Sequence, residues 1–415
     1  MVTRRAEAGA LDSTSGWVTV VAAFVSMGVV FGVAYSFGAF FAPMAAEFGS
    51  GSGATSVVFS VTACLFFVLG SVSGRVVDRF GPRPVLLVGA LALAVGLLAT
   101  SRVQHLWVGY VSYGLGVGVA VACGYVPMVA VVGAWFDRRR AVALAVAIAG
   151  IGVGTLVGAP LAAALIAVYG WRQTHVLFGI GGALLLVGCA GLVRRPPEPP
   201  GAPPLAVRAL VRTGAFRSMY AATVLASLAL FIPFVFLPVY AVSVGVAPVA
   251  AATLVGVIGV ASVLGRLAMG AVADRVGRIR MFRASFAITA GSFVLWMVGT
   301  SWPWLVAFAI VLGVGYGGWI ALQPTVIAEV FGLRGLGGMV GLVYTAAGFG
   351  ALLGPPMAGV LIDATGSYGL AAAAAGVCAL TAFLALLPLR APGGPVSAPP
   401  SGAVSMDSRA PGVND

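Results

Sequence analysis

Arg266 is the only charge well inside any of the long apolar segments of this 415-residue chain. It lies in the run ATLVGVIGVASVLGRLAMGAVA (252–273), with no acidic residue, lysine or second arginine beside it. Placing a guanidinium in hydrocarbon costs about 3 kcal/mol or more, so such residues are rare and face a water-filled path, a partner or a bound ion. A guanidinium stays charged at physiological pH and grips a carboxylate through two parallel hydrogen bonds. With no counter-charge in its own segment, Arg266 predicts a bound anion. The competing reading, a structural arginine tied to backbone carbonyls, stays open at this stage.

Aromatic residues in other apolar segments are candidates for the walls of such a site: Tyr35, Tyr125, Tyr316, Trp319 and Tyr344. Apolar walls with a few polar handles suit a small organic anion. The same residue types also serve as interface belts and packing. Tyr125 and Tyr344 stand out, because they lie away from the segment ends. No paired carboxylates, Ser/His arrangement or metal-ligand cluster lies in or near the apolar segments, so an enzyme is not expected and neither is a cofactor or metal. Cys64, Cys123, Cys189 and Cys378 are scattered through apolar segments and read as small packing residues.

The elements that must position these residues follow from composition. The chain is 60% hydrophobic and 8% charged, against about 25% charged for a soluble domain, so it is an all-α polytopic membrane protein. Its net charge of +12 comes entirely from arginine. Most of these arginines fall in short loops, without the basic helix or zinc pattern of a nucleic-acid binder. A span needs about 20 apolar residues, and twelve such runs are present: 17–41, 54–74, 84–101, 106–134, 141–168, 174–193, 218–242, 248–273, 281–300, 303–329, 336–361 and 367–389. They predict a tail over 1–16, a six-helix bundle over 17–193, a linker over 194–217 rich in proline and arginine, a second six-helix bundle over 218–389 and a disordered tail over 390–415. The first run is longer than a signal-peptide core and reads as a retained span.

Arginine placement orients the chain. With the N-terminus inside, twenty arginines fall on the inner side, and only Arg102 and Arg172 on the outer. Both termini are therefore expected in the cytoplasm, and the protein in the cytoplasmic membrane. The two halves also repeat. Gly74-x-x-x-Asp78-Arg79-x-Gly81 recurs 196 residues later as Gly270-x-x-x-Asp274-Arg275-x-Gly277, and Gly154-x-x-x-Gly158-x-Pro160 recurs at the same offset as Gly350-x-x-x-Gly354-x-Pro356. Parallel repeats place a substrate site near the midplane between the halves.

With these motifs the chain resembles the major facilitator superfamily over residues 17–389. GRVVDRFGPR (74–83) is similar to that superfamily's loop between spans 2 and 3. The resemblance implies a gating role for Asp78 and Arg79, with Asp78 facing the start of span 11 (335–339), where a helix dipole favours a carboxylate. In the second half it implies the same for Asp274 and Arg275, with Asp274 beside Arg140 at span 5.

Trp135-Phe136-Asp137-Arg138-Arg139-Arg140, followed by small residues and Gly150, Gly152 and Gly154, resembles the span-5 signature of the monocarboxylate-transporter and oxalate/formate-antiporter group. Gly16-Trp17 opening span 1 and Asp363-Ala-Thr-Gly-Ser-Tyr368 after span 11 fit the same group. The resemblance implies that Arg266 is the span-8 arginine that binds substrate carboxylate.

Departures from the group's pattern narrow the substrate. Ala347 stands where oxalate carriers have a second cation in span 11, and one fixed positive charge matches one carboxylate. Tyr35 and Ser262 stand where animal members carry a lysine and an acid, and Phe236 where some bacterial relatives have a histidine. The expected substrate is thus a small monocarboxylate of the lactate or pyruvate type, moved across the bilayer by alternating access. Proton symport is implied by the group, yet no titratable midplane group remains to serve it. Alternatives are an organic-anion exchanger of the oxalate/formate type and a drug or metabolite exporter; a cationic-drug pump would want a membrane carboxylate. The assembly is expected to be a monomer or weak dimer.

Overall fold

In hydrocarbon every backbone N–H and C=O must find its partner within the segment, which an apolar run does by forming a helix. The computed structural model describes residues 11–195, 213–331 and 336–389, and among these no strand occurs. Span 1 is α1 (Thr14–Tyr35) and α2 (Phe37–Phe48), and span 2 is α3 (Ser52–Phe80). Span 3 is α4 (Pro82–Thr100), and span 4 is split into α5 (Leu106–Gly124) and α6 (Val126–Trp135). Spans 5 and 6 form the long α7 (Arg140–Leu192). The second half comprises α8 (Gly214–Ser243), α9 (Pro248–Val276), α10 (Arg278–Val298), α11 (Trp302–Phe331), α12 (Leu336–Thr365) and α13 (Tyr368–Ala385), spans 7 to 12.

Several boundaries differ from those read in the sequence. Span 1 runs on to Phe48, beyond residue 41. Spans 5 and 6 are joined without a loop at Gly170, whose φ of 77° turns the chain in a conformation that only glycine adopts without strain. Helix α8 starts at Gly214, so Phe216 and Arg217, read as linker, are helical. Its start is capped by Thr213, whose hydroxyl accepts a hydrogen bond from the Phe216 N–H at 3.2 Å. Of the predicted linker, residues 196–212 lie outside the described part, as do 1–10 and the tail from 390.

The 196-residue repeat is visible in backbone and packing. Helices α3 and α9 both end on a glycine with positive φ, Gly81 at 85° and Gly277 at 103°. In the first half a Cβ at Gly154 or Gly158 would overlap the backbone of Gly28 or Gly32 on α1; in the second, one at Gly350 or Gly354 would overlap that of Val224 or Leu228 on α8. The partners are themselves 196 residues apart. Small residues let these helix pairs approach backbone to backbone, where dispersion contacts replace a hydrophobic driving force that lipid does not supply.

Alternating helix direction puts the turns carrying Arg79, Arg83 and Arg278 at one end of the bundle, here the arginine-rich end, and Arg102 and Arg172 at the other. Among the described residues, close approaches between residues before 195 and after 213 are found at mid-bundle and toward the arginine-poor end. Gly348 lies against Phe67 and Cys64 at mid-bundle, Gly38 against the Phe234 carbonyl and Pro238 beyond it, and Gly53 against Val360 at the end itself.

Candidate functional site

Pro127 has no N–H to offer the carbonyl of residue 123, and the helix of span 4 breaks just before it. Tyr125 sits at that break (φ −108°, ψ −77°) and is turned toward the centre of the bundle. Across from it, α9 and α11 meet closely: a Cβ at Gly265 would lie 2.7 Å from the Val314 Cα, and one at Gly317 would overlap the Ser262 carbonyl. This contact brings Arg266 beside the next turn of α11, with its guanidinium carbon 5.9 Å from the centre of the Tyr316 ring. Helical side chains lean toward the N-terminus, so the guanidinium reaches from its Cα toward the middle of the bundle.

The result is a narrow cavity of about 30 Å³ at the centre of the bundle. Arg266 and all five aromatic residues singled out in the sequence, Tyr35, Tyr125, Tyr316, Trp319 and Tyr344, line it together. Rings hold one another in place around it. Tyr35 stacks on Phe234 at 4.3 Å, Tyr125 meets Phe31 edge-on at 5.3 Å, and Tyr344 meets Phe67 at 5.9 Å. Such aromatic pairs contribute about 0.5–1.5 kcal/mol each beyond their burial.

Arg266 is not tied down. Its Nε and Nη1 are buried without a hydrogen-bond partner, and so is Nε1 of Trp319. None of the lining residues is acidic or a histidine. A buried donor without an acceptor costs about 1–3 kcal/mol, so these groups mark where an acceptor belongs. The carbonyl-bound alternative for Arg266 is therefore not what the structure shows. Ala347 lines the cleft, whereas Ser262 is buried against α11 with its hydroxyl donating to the Gly259 carbonyl at 2.7 Å. Phe236 packs on Phe41 at 5.2 Å and is not part of the wall.

The lining also includes residues not anticipated, notably Phe31, Phe66, Phe67, Phe231 and Gln323. Gln323 was within reach of the sequence: with Tyr316, Trp319 and Ile320 it completes an i, i+3, i+4, i+7 face of α11. Its side chain is held by a hydrogen bond from Nε2 to the Thr223 hydroxyl at 3.1 Å. The phenylalanines carry no charge or spacing to set them apart from packing.

The residues expected to gate are arranged differently from the expectation. Asp274 does not pair with Arg140. It faces Arg278 at 3.9 Å, with the two side chains 74% and 50% exposed, a contact of little energetic weight. Arg140 lies instead along Gly133 of its own half, with Nη2 3.2 Å from where a Cβ would stand. Arg195 holds the end of α3 by donating to the Asp78 and Arg79 carbonyls at 3.0 and 3.1 Å, and lost hydration raises the Asp78 carboxyl above its usual range. Arg79 lies over the Phe80 ring at 5.2 Å. Most of the 335–339 turn that Asp78 was expected to face lies outside the part whose side chains are described.

Comparison with known proteins agrees with this architecture. The profile of the Major Facilitator Superfamily matches residues 18–268 and 219–405. Monocarboxylate transporter 3 of Rattus norvegicus is 33% identical over 383 residues, covering 88% of this chain and 77% of that protein. Monocarboxylate transporter 13 of Bos taurus is 32% identical over 363 residues, covering 86% and 85%. Among solved structures, a bacterial homolog of the human lysosomal transporter Spinster, inward-facing and unoccupied, superposes with a TM-score of 0.69 over 91% of this chain and 95% of that one. Its 14% identity shows the shared fold alone. With twelve apolar spans, a 196-residue repeat and these relatives, the chain is a multi-pass transporter of the major facilitator superfamily and belongs to its monocarboxylate-transporter family.

Proposed function

We propose that the protein moves a small monocarboxylate of the lactate or pyruvate type across the cytoplasmic membrane by alternating access, with Arg266 holding the carboxylate. The observation that carries this reading is the unpartnered guanidinium in a cleft whose walls offer no acidic group. A carboxylate in the cleft would supply an acceptor to the guanidinium and neutralise the only lining charge. Tyr35, Tyr125, Tyr316, Trp319 and Tyr344 would close around the apolar end of the substrate. Arginine asymmetry supports cytoplasmic termini, which makes the arginine-rich end the inner one. Asp78, Arg79, Asp274, Arg275 and Arg140 lie on that side and are assigned to the inner gate.

A second reading concerns coupling. No lining residue is a carboxylate or an imidazole that could take up a proton, which favours anion exchange or uniport over proton symport. One experiment tests both readings: uptake of labelled lactate, pyruvate, formate and oxalate into proteoliposomes, with and without a pH gradient. The proposal expects uptake of at least one of the three monocarboxylates, lost in Arg266→Ala. Wild-type-like uptake by that variant would overturn it. Uptake that rises with an inward proton gradient would restore symport, and oxalate exchanged for formate would replace the monocarboxylate reading with the exchanger.

A further inference from the structure

Asp363 sits in the last turn of α12, where the negative end of its own helix disfavours a carboxylate. Its position makes sense only against another helix. Oδ1 accepts the Ser52 N–H at 2.8 Å and Oδ2 the Gly53 N–H at 2.9 Å. These are the first N–H groups of α3, which lies more than 300 residues away in the chain and in the opposite half. Helix α3 has no cap of its own, because its N-cap residue is Gly51. A side chain there would exclude the partner, since a Cβ at Gly51 would stand 2.6 Å from Oδ2. The two helix ends also meet backbone to backbone: a Cβ at Gly359 would lie 2.5 Å from the Gly53 nitrogen. Positive and negative helix ends thus face each other across the halves, at the arginine-poor end.

We propose that Asp363 is the latch of the outer gate: it caps α3 in trans only while the outer ends of spans 2 and 11 are together. When they part, the Ser52 and Gly53 N–H groups lose the carboxylate and meet water. One capping bond is exposed and the other part-buried, so the cap biases the equilibrium modestly, about fivefold, as an N-cap does. That strength suits a contact broken in every cycle, since a stronger one would hold the carrier shut. Asp363 touches no part of the cleft and acts by positioning α3. Calling this end outer rests on the orientation given above.

The test is a distance between the halves, measured by spin labels at Gln104→Cys and Ser243→Cys, on exposed sites of the arginine-poor end, after the four native cysteines are replaced in a variant shown to transport. Asp363→Ala, which removes both acceptors, is expected to raise the population with separated ends about fivefold. Ser52→Pro removes one of the two donors while keeping a residue favoured at the first helical position, and should give a smaller shift in the same direction. Combined, the two should add little to the Asp363 variant alone. A distance distribution unchanged in either single variant, or fully additive shifts, would overturn the latch. Because the readout needs no substrate, a failure here is separate from a failure of the carboxylate assignment, which only uptake and binding address.

Discussion

Arg172 and Arg266 both lie beside an aromatic ring, with guanidinium carbons 4.5 and 5.9 Å from the ring centres of Trp171 and Tyr316. Arg172, near a membrane boundary, makes four hydrogen bonds. It donates to Glu47 Oε1 from Nη2 at 2.5 Å and from Nε at 3.1 Å, and to the carbonyls of Ser101 and Val103 at 2.9 and 2.7 Å. Glu47 is in turn held by the Trp171 indole N–H at 2.6 Å. Arg266, at mid-bundle, has Nε and Nη1 without any acceptor. The chain can therefore satisfy an arginine where it needs structure. It leaves the one at the centre of the cleft, where desolvation is most costly, without a partner. This contrast supports the proposed role of Arg266 as the anchor of the substrate carboxylate.

Substitutions at the two arginines should separate these roles. The largest effect is expected at Arg266. Charge-assisted hydrogen bonds contribute about 1.5–3 kcal/mol each, so losing two in Arg266→Ala should lower initial uptake at least about 100-fold. Arg266→Lys keeps the charge but loses the fork and should fall at least about tenfold. Normal membrane insertion of both variants would locate the defect in binding. Next comes Ala347→Lys, which adds a second cation to the cleft wall. It should raise the oxalate-to-lactate uptake ratio about tenfold; an unchanged ratio would contradict the match of one charge to one carboxylate.

Trp319→Phe removes an indole N–H that has no acceptor within the protein. Its thermal stability should be unchanged while KM rises about three- to tenfold, the mark of a donor used only by the substrate. A drop in stability with KM unchanged would instead make that N–H structural. The smallest effect belongs to the other arginine. Glu47→Gln weakens a pair whose side chains are 41% and 34% exposed, so screening limits the loss to about 1 kcal/mol. This should appear as a small decrease in thermal midpoint without a change in KM.

The fold was legible in the sequence because it rests on coarse quantities: segment length, mean apolarity, arginine asymmetry and a constant offset. The site was legible to the extent that its residues are chemically unusual where they stand. Arg266 is a charge in hydrocarbon, and Tyr125 precedes a helix-breaking proline. Phe66, Phe67 and Phe231 were not legible, since nothing distinguishes a phenylalanine facing a cleft from one facing a helix. Pairings between distant charges were the least predictable. Asp274 was expected beside Arg140 and faces Arg278, because contacts at a gate depend on which end of the bundle is closed, and sequence carries no term for that. Asp363 shows the converse: the resemblance singled out its motif, but its partner, the bare N-terminus of α3, became visible only with both halves in place.

Arg266 is proposed to hold a substrate carboxylate. The most direct measurement is calorimetric titration of lactate, and of pyruvate in parallel, into the purified wild-type protein, Arg266→Ala and Glu47→Gln. Saturable binding of at least one acid by the wild type and by Glu47→Gln, and none by folded Arg266→Ala, is the predicted result. Binding by Arg266→Ala as tight as by the wild type would contradict it.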